Sequence, residues 1–567
     1  MATVLVRPAE TDGPAQRFDL TAVAHKRLVV LLLLFAATTG VLSCRMLWLG
    51  IFGGTAETAP SARGAIPLRA DILDRNGEPL VRTIDAYSIA VRPPLVRGDP
   101  EILGEQLHEI FPDTPAAKFT KLLRSKKRWA YLRHRALPEE VAAVNRLGEV
   151  GIEYPREKER LYPQRTLAAH ALGFASMDDR GRLMGMGVER AFNDRLIDPA
   201  MRGNPLVLSL DTRVQGVMES ELYQGLSSQS AAGAAGLVLD ANTGEVIAMA
   251  SLPVFDPNKL DNRTTEARRN VIVQSNYELG STFKPISIAA AMDAGVVTSM
   301  TKRYDATAPI AVAGFRIHDD HSMGRWITVP EILIHSSNIG TARIADELGV
   351  ERLQSAYRKL GFDQRSDIEL RERAGTLWPS DWGRLTNMTV SFGHGIAVTP
   401  LHLACAYAAL VNGGIWRPAT MLKVREDQVP KGRRVFSAET SARMRQLLRL
   451  IVLNGTGRNA DAKGYRVGGK TGSAEKPHQG GYAKHSLVTT FAAAFPMDNP
   501  RYIVLVMMDE PKGNKETYGL RQAAWNAAPV VRRFIERAAP MLGVFPETRD
   551  VDVSELTAQL GHGEAKD

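Results

Sequence analysis

Three short segments, set far apart along the 567-residue chain, constrain its fold more than any other feature of the sequence. They are Ser281–Lys284 (Ser-Thr-Phe-Lys), Ser336–Asn338 (Ser-Ser-Asn) and Lys470–Gly472 (Lys-Thr-Gly). Each one alone is weak, since the pattern Ser-x-x-Lys also begins at Ser299 and at Ser473. Their order and wide spacing are informative, because a fold that uses all three must bring distant parts of the chain to one place.

The first segment has the side chains of an activated nucleophile. A serine hydroxyl reacts poorly unless a base takes its proton, and Ser281 and Lys284, at positions i and i+3, share one face of a helix. Lysine can serve as that base only where burial or a neighbouring cation lowers its pKa. Pro285 is tolerated because it falls near the first turn, where backbone N–H groups have no intrahelical partner. A capping serine beside a surface lysine is the commoner meaning of this pattern when it stands alone.

Taken together, the three segments are those of penicillin-binding proteins and class A β-lactamases. The segment Gly455–Gly457 (Gly-Thr-Gly) and the stretch Val398–Gly414 agree with the same family. The chain resembles a class B penicillin-binding protein over about residues 63–538, and most closely the division-specific peptidoglycan D,D-transpeptidases of the FtsI type. It departs from the usual pattern at Leu279, where proline is common, and at Ser473, where threonine is commoner. We expect both changes to leave the chemistry intact, and the second to alter the affinity for some β-lactams.

The resemblance implies a reaction. Ser281 attacks the penultimate D-alanine carbonyl of a peptidoglycan stem peptide while Lys284 acts as general base. D-Alanine leaves with a proton relayed through Ser336, Asn338 binds a substrate amide, and an amine from a neighbouring stem resolves the acyl-enzyme. β-Lactam antibiotics are expected to acylate the same serine because they mimic the D-alanyl-D-alanine dipeptide. No cofactor and no metal is implied.

The resemblance also places the third segment on an edge strand that lines the cleft. Its lysine and hydroxyl groups attract the terminal carboxylate of the substrate, and its glycine lets the substrate approach the backbone. The backbone N–H groups of Ser281 and Ser473 are implied to form the oxyanion hole. Lys470 is counted with the catalytic residues, and the expected substrate-binding residues are Thr471, Gly472 and Ser473.

An apolar run near the N-terminus predicts a membrane anchor. Residues Leu28–Cys44 carry no charge, and a second apolar stretch, Met46–Phe52, follows Arg45. About 20 apolar residues cross a bilayer, and the side chain of Arg45 can extend to the interface. Lys26 and Arg27 precede the run, so the positive-inside rule predicts a cytoplasmic N-terminus. We expect a single-pass protein of the inner (plasma) membrane with a periplasmic catalytic domain. A cleaved signal peptide is the alternative, although its apolar region would be only about 7–15 residues long.

Pattern and resemblance together divide the chain into five regions: a cytoplasmic tail (1–27), the anchor (28–52), a periplasmic pedestal of the dimerisation type (53–205), a transpeptidase domain (206–540) and a flexible charged tail (541–567). The pedestal is recognised from Arg69–Glu78, Arg160–Pro163 and Gly185–Glu189, which show no chemistry of their own. Strand-like runs at both ends of residues 206–540, with helices between them, predict an α+β fold with a mainly antiparallel sheet flanked by helices.

Other patterns in the sequence are better explained without a function. Gly464–Thr471 fits the phosphate-loop pattern G-x-x-x-x-G-K-[ST], but that loop needs a helix after it, and the glycines and proline that follow oppose one. The run His318–His321 (His-Asp-Asp-His) has the spacing of metal ligands, yet no third histidine or cysteine partner is recognisable, so we expect a polar loop. The net charge of +9 suits an anionic surface or nucleic acid. No nucleic-acid-binding motif is found in the sequence, so we do not expect nucleic acid as a partner.

The alternative functions differ in the molecule that accepts the acyl group, water or an amine, or in the role of the protein in the cell. An elongation-specific transpeptidase of the same class, a D,D-carboxypeptidase and a β-lactamase are all consistent with the three segments, and so is a scaffold or sensor that only binds β-lactams. The anchor and the pedestal favour a synthase, and Lys476 after Ser-Ala-Glu favours a role in division. The expected partners are peptidoglycan stem peptides, β-lactam antibiotics, a separate multispanning glycan polymerase of the FtsW type and other division proteins.

Overall fold

The structure is a computed structural model that describes residues 20–51, 68–177, 183–201, 203–260, 266–478 and 481–560. The chain forms two compact units, residues 1–63 and residues 64–567. The described part of the smaller unit is helix α1 (Leu20–Ile51), which contains the apolar run Leu28–Cys44. Its segment His25–Met46 is 22 residues long and apolar enough to cross a membrane. At 1.5 Å per residue it spans about 33 Å, close to the thickness of the hydrocarbon core.

The pedestal is built around one long strand. Strand β2 pairs antiparallel with β1, β3, β4 and β5, and β1 pairs parallel with β8. Two of its helices, α2 and α3, cover one end of the sheet, where Phe111 and Phe119 are buried with their ring centroids 6.1 Å apart. In chain order its elements are β1 (Ile72–Leu73), β2 (Pro79–Val91), α2 (Pro100–Ile110), α3 (Ala116–Leu123), β3 (Ala130–Ala136), α4 (Pro138–Asn145), β4 (Ile152–Glu153), β5 (Arg156–Leu161), α5 (Ala169–Leu172), β6 (Phe174–Met177), β7 (Leu183–Met186), α6 (Gly187–Ala191) and α7 (Asn193–Ile197). Strand β8 (Leu206–Val207) follows the predicted pedestal boundary and completes its sheet.

A buried ion cluster joins the three pedestal segments that carried no chemistry in the sequence. Glu189 accepts hydrogen bonds from Arg69 Nε at 2.8 Å and from Arg160 Nε at 2.6 Å. The Tyr162 hydroxyl donates to the same carboxylate at 3.3 Å. All three charged side chains are shielded from solvent. Because an unpaired charge in such a place is strongly destabilising, each member depends on the others. The cluster therefore holds these three segments of the pedestal together.

The part of the chain that follows β8 contains a five-stranded, fully antiparallel sheet in the order β10-β9-β19-β18-β17. This arrangement, with helices on both faces, confirms the predicted α+β fold. Its elements are α8 (Thr212–Ser228), β9 (Gly233–Asp240), β10 (Val246–Leu252), α9 (Val271–Gln274), α10 (Lys284–Asp293), β11 (Arg303–Asp305), β12 (Ile310–Val312), β13 (Phe315–Ile317), β14 (Trp326–Thr328), α11 (Val329–Ile334), α12 (Asn338–Leu348), α13 (Val350–Lys359), α14 (Arg384–Val390), α15 (Pro400–Val411), β15 (Ile415–Trp416), β16 (Arg433–Arg434), α16 (Ala438–Asn454), β17 (Gly468–His478), β18 (Gly481–Phe495), β19 (Tyr502–Asp509), α17 (Ala527–Ala538) and α18 (Ser554–Thr557).

Apolar alternation along the central strands explains the layers. In β9, Leu237 and Leu239 belong to the core that includes α10, α15 and α16, whereas Val238 belongs to the core under α8 and α17. In β19, Leu505 and Val506 divide in the same way. Since successive side chains of a strand point to opposite faces, apolar residues at every position require cover on both sides. The sheet is thereby buried between two helical layers, and only its edges can line a cleft.

The C-terminal segment is a correction to the sequence analysis, which expected residues 541–567 to be flexible. Up to Leu560 the segment is ordered against the domain, and Leu556 in α18 is fully buried. Arg449 and Arg466 have buried side chains, and they pair with Asp550 at 2.5 Å and with Glu547 at 3.7 Å. Asp461 and Asp498, outside the tail, also pair with these two guanidinium groups at 2.7 and 2.6 Å, so the tail adds a second carboxylate to each buried charge. Residues 561–567 lie outside the described part of the chain.

Candidate active site

The first segment begins as a tight turn. Residues Gly280–Phe283 form a single 3₁₀ turn, and α10 starts directly after it at Lys284, with Pro285 in its first turn. Ser281 is partly exposed, whereas the side chain of Lys284 is fully buried. The prediction that Ser281 opens a helix thus holds with one difference, because a 3₁₀ turn precedes the α-helix.

Buried aromatic side chains hold this turn from beneath. The Tyr407 hydroxyl, on α15, donates to the Thr282 carbonyl at 2.8 Å. Phe283 contacts Tyr357 and Phe362, with ring centroids 5.7 and 5.2 Å away. A buried aromatic cluster with a satisfied hydroxyl is rigid, so the serine is presented on a fixed support. The sequence analysis missed these residues, because nothing marks them apart from other core positions.

The second segment joins two helices through a strained residue. Ser336 follows α11 with φ +59°, in the left-handed region that residues other than glycine seldom adopt. Ser337 then caps α12, since its Oγ accepts a hydrogen bond from the Gly340 N–H at 2.9 Å. Such strain persists only where the surroundings enforce it and is common at functional sites.

The Ser336 hydroxyl lies between two lysines. Its Oγ accepts hydrogen bonds from Lys284 Nζ at 3.1 Å and from Lys470 Nζ at 2.9 Å. Lys284 Nζ also donates to the Ser336 carbonyl. In the part of the chain that the structure describes, no hydrogen bond joins Lys284 Nζ to Ser281 Oγ. One residue from each of the three segments therefore meets at Ser336, and Ser281 lies on the turn that leads directly into Lys284.

Two buried ammonium groups so close together cannot both hold a proton easily. Burial lowers the pKa of Lys284 to about 7, although the carboxylates of Asp319 and Asp320 act in the opposite direction. Burial lowers the pKa of Lys470 well below its usual value, the positive charge of Lys284 adds to this effect, and Asp320 opposes it. At neutral pH the pair can thus supply a neutral amine, which is the form that a general base requires.

The third segment lies on β17, the edge strand of the sheet, as expected. Gly472 is needed for close packing, because a Cβ at this position would lie 2.5 Å from the Leu279 carbonyl oxygen. Gly280 has φ +53°, and a Cβ there would lie 3.1 Å from the Ser473 carbonyl oxygen. The strand therefore presses on the serine turn with no side chain between them. From the sequence, Gly472 is expected only to let the substrate approach the backbone. The structure adds this packing reason for a glycine.

The hydroxyl groups of β17 have partners within the protein. Thr471 Oγ1 forms a hydrogen bond with Thr456 Oγ1 at 2.9 Å, so the Gly-Thr-Gly segment ahead of β17 meets it directly. Ser473 Oγ accepts from the Ala523 N–H at 3.1 Å. Lys470 and Thr471 lie inside a strand and not in a loop before a helix, which agrees with the rejection of a phosphate loop.

The polar loop His318–His321 is part of this site, and the sequence analysis gave it no role. Asp319 accepts hydrogen bonds from Ser337 Oγ at 2.8 Å and from the Ile339 N–H at 2.9 Å. Asn338 Nδ2 donates to the His318 carbonyl at 3.0 Å. Both oxygens of the Asp319 carboxylate thus hold the second segment. Only the fold places this loop, since the sequence gives no signal that joins it to Ser336–Asn338.

Comparison with known proteins agrees with this geometry. Residues 234–535 match the penicillin-binding protein transpeptidase domain, and residues 65–196 match the penicillin-binding protein dimerisation domain. The chain is 38% identical, over 89% of its length and 87% of the relative, to a probable peptidoglycan D,D-transpeptidase FtsI of Caulobacter vibrioides. It is 29% identical to peptidoglycan D,D-transpeptidase FtsI of Escherichia coli K12, over 87% of each chain. Penicillin-binding protein 3 of Mycobacterium tuberculosis, solved with aztreonam, has a TM-score of 0.66 at 26% identity, covering 85% of this chain and 98% of its own.

Proposed function

Since the chain belongs to the class B penicillin-binding proteins, we propose that it is a peptidoglycan D,D-transpeptidase that cross-links stem peptides through an acyl-enzyme on Ser281. One observation carries the proposal. Two fully buried lysines, Lys284 and Lys470, share the hydroxyl of Ser336 beside a rigid turn that presents Ser281. A structural role alone gives no reason to bury two like charges around one hydroxyl, because their desolvation is costly.

The first half-reaction follows from these positions. Neutral Lys284 takes the proton of Ser281, and the alkoxide attacks the carbonyl carbon of the penultimate D-alanine. The backbone N–H groups of Ser281 and Ser473 stabilise the negative charge of the tetrahedral intermediate, where fixed donors are most effective. The close contact of β17 with the serine turn supports this placement.

Departure of D-alanine requires a proton on its amine. The Ser336 hydroxyl is hydrogen-bonded to Lys284 Nζ, so it can pass the proton taken from Ser281 to the leaving nitrogen and recover it from the lysine. An amine of a neighbouring stem then attacks the acyl-enzyme, and the same route runs in the opposite direction. Asn338 donates from Nδ2 to the His318 carbonyl, which orients its side-chain oxygen to accept a substrate N–H.

The substrate carboxylate is the remaining feature to be recognised. An extended peptide can add alongside the edge strand β17. This strand carries Lys470, Thr471 and Ser473, which we propose bind that carboxylate. A β-lactam would acylate Ser281 by the same route, but its ring-opened amine stays attached to the acyl group, so a stable ester on Ser281 is expected. We therefore propose that the protein is a target of β-lactam antibiotics.

The cellular role proposed is septal peptidoglycan synthesis, supported by the two FtsI-named relatives. The apolar helix near the N-terminus fits a membrane anchor. With Lys26 and Arg27 on its N-terminal side, we propose a single pass of the inner membrane with a cytoplasmic N-terminus and a periplasmic catalytic region. A multispanning glycan polymerase of the FtsW type and other division proteins are the proposed partners. Localisation at midcell supports this role, and localisation along the lateral wall favours the elongation-specific alternative.

The test is labelling of the membrane-embedded protein with a fluorescent penicillin, comparing wild type with Ser281→Ala over time. Stable labelling of the 62.0 kDa band that disappears in the variant is expected. Labelling that decays within minutes would assign a hydrolase, either a D,D-carboxypeptidase or a β-lactamase. A folded wild-type protein that takes no label would leave a non-enzymatic scaffold as the better account.

A further inference from the structure

A second concave surface lies where the pedestal meets the transpeptidase region. It has a volume of about 570 Å³ and shares no lining residue with the three segments of the active site. Five of the described residues that line it are arginines and one is acidic: Arg190, Arg268, Arg269, Arg371, Arg373 and Glu372. We call this the arginine cavity.

The carboxylate of the arginine cavity is already engaged. Glu372 accepts hydrogen bonds from Arg190 Nη1 and from the Gly187 N–H, both at 3.3 Å. It therefore ties the loop that follows α13 to the pedestal and balances one guanidinium group. Among the described lining residues arginines outnumber carboxylates, which favours an anionic ligand.

Arg373 adds an independent observation. Its Nη1 donates to the Ser366 carbonyl at 3.0 Å, while its Nε is shielded from solvent and has no acceptor among the described residues. A shielded donor that lacks an acceptor is unfavourable, and native structures contain few of them. Arg373 also lines the cavity, and an oxyanion is the acceptor that a guanidinium group prefers.

The wall of the arginine cavity continues towards the nucleophile. The Ala374 N–H, from the lining, donates to the Val273 carbonyl at 2.9 Å. Further along the same two segments, Leu377 pairs with Ala397 and Tyr277 pairs with Val398. Ser281 follows Tyr277 by four residues (281 − 277). The two backbone segments of this wall thus lead from the arginine cavity to the turn that carries Ser281.

We infer that the arginine cavity binds carboxylate groups of peptidoglycan stem peptides, as a second anchoring site for the polymer that is cross-linked at Ser281. Guanidinium groups bind carboxylates through two parallel hydrogen bonds, and several of them together suit a ligand with more than one carboxylate. Stem peptides have this chemistry, and the polymer carries them at regular intervals. The inference rests on the proposed function, since it takes its ligand from that reaction.

The test measures binding to the arginine cavity while the cleft is blocked. Full-length protein in detergent is first acylated with penicillin, and fluorescent glycan chains with uncross-linked stem peptides are then titrated by anisotropy. The variant is Arg269→Gln/Arg371→Gln, because both side chains are exposed and their loss should not disturb the fold. The matched control is Arg146→Gln/Arg352→Gln, which removes the same charge from exposed positions outside the lining. Glycan chains stripped of their peptides and inorganic pyrophosphate serve as control ligands.

The variant is expected to bind stem-bearing glycan about tenfold more weakly than wild type at low salt, while the control variant and the rate of penicillin labelling stay within about twofold. Equal weakening in the control variant would overturn the inference, and so would unchanged binding after the peptides are removed from the glycan. Competition by pyrophosphate without binding of stem peptides would assign a phosphate site instead. Absence of penicillin labelling in wild type would refute the proposed function itself, which separates the two failures.

Discussion

Lowering the pH should switch off acylation of Ser281 through the protonation of Lys284. A lysine with the ordinary pKa of 10.5 is neutral in only about 0.1% of molecules at pH 7.5, whereas a lysine with a pKa of about 7 is neutral in about three quarters. At pH 5 the neutral fraction falls to about 1%, so the second-order rate constant for acylation should drop about 80-fold between pH 7.5 and pH 5. Above pH 8 the rate should reach a plateau.

The assay is the initial rate of labelling by a fluorescent penicillin from pH 5 to pH 9, with the fold checked by circular dichroism at each pH. Asp320→Asn should move the midpoint to lower pH, because this carboxylate favours the charged forms of both Lys284 and Lys470. Asp381→Asn, at an exposed position, is the matched control and should leave the midpoint unchanged. A rate that varies less than threefold between pH 5 and pH 8, or that keeps rising steeply from pH 8 to pH 9, would refute Lys284 as the base.

Two further predictions concern packing and buried charge. Gly472→Ala should be expressed normally but should slow acylation about 5- to 150-fold. The added Cβ would lie 2.5 Å from the Leu279 carbonyl oxygen, and overpacking costs about 1–3 kcal/mol. Labelling at the wild-type rate would contradict this. Glu189→Gln should lower the free energy of unfolding by about 3–5 kcal/mol, because Arg69 and Arg160 would keep buried charges without a carboxylate. A thermal midpoint within 2 °C of wild type, a tolerance of about 1 kcal/mol or less, would show that the cluster does not stabilise the pedestal.

The fold class could be predicted because it depends on local patterns. The strand-like runs at both ends of residues 206–540 became β9, β10, β18 and β19, and the helices expected between them include α10, α15 and α16. The C-terminal segment could not be predicted in this way. Its charged composition indicates disorder when considered alone, whereas in the fold Leu556 is buried and the tail carboxylates pair with the buried side chains of Arg449 and Arg466, contacts that exist only after folding.

The active site shows the same division. The order of the three segments identified Ser281, Lys284, Ser336 and Lys470 as one group. In the structure, Lys284 and Lys470 both donate hydrogen bonds to the hydroxyl of Ser336. The strain at Ser336 and the contribution of Asp319 had no sequence signal, because each depends on which distant backbone lies alongside.

The sequence by itself determined the residue types, the sheet and helix patterns and the apolar anchor, since these follow from periodicity and from side-chain chemistry. Only the tertiary structure decided what those side chains experience. The low pKa of Lys284 arises from burial, which no segment of the chain possesses until the others cover it. The gathering of arginines from the pedestal and from two later loops into one cavity is likewise a product of the fold.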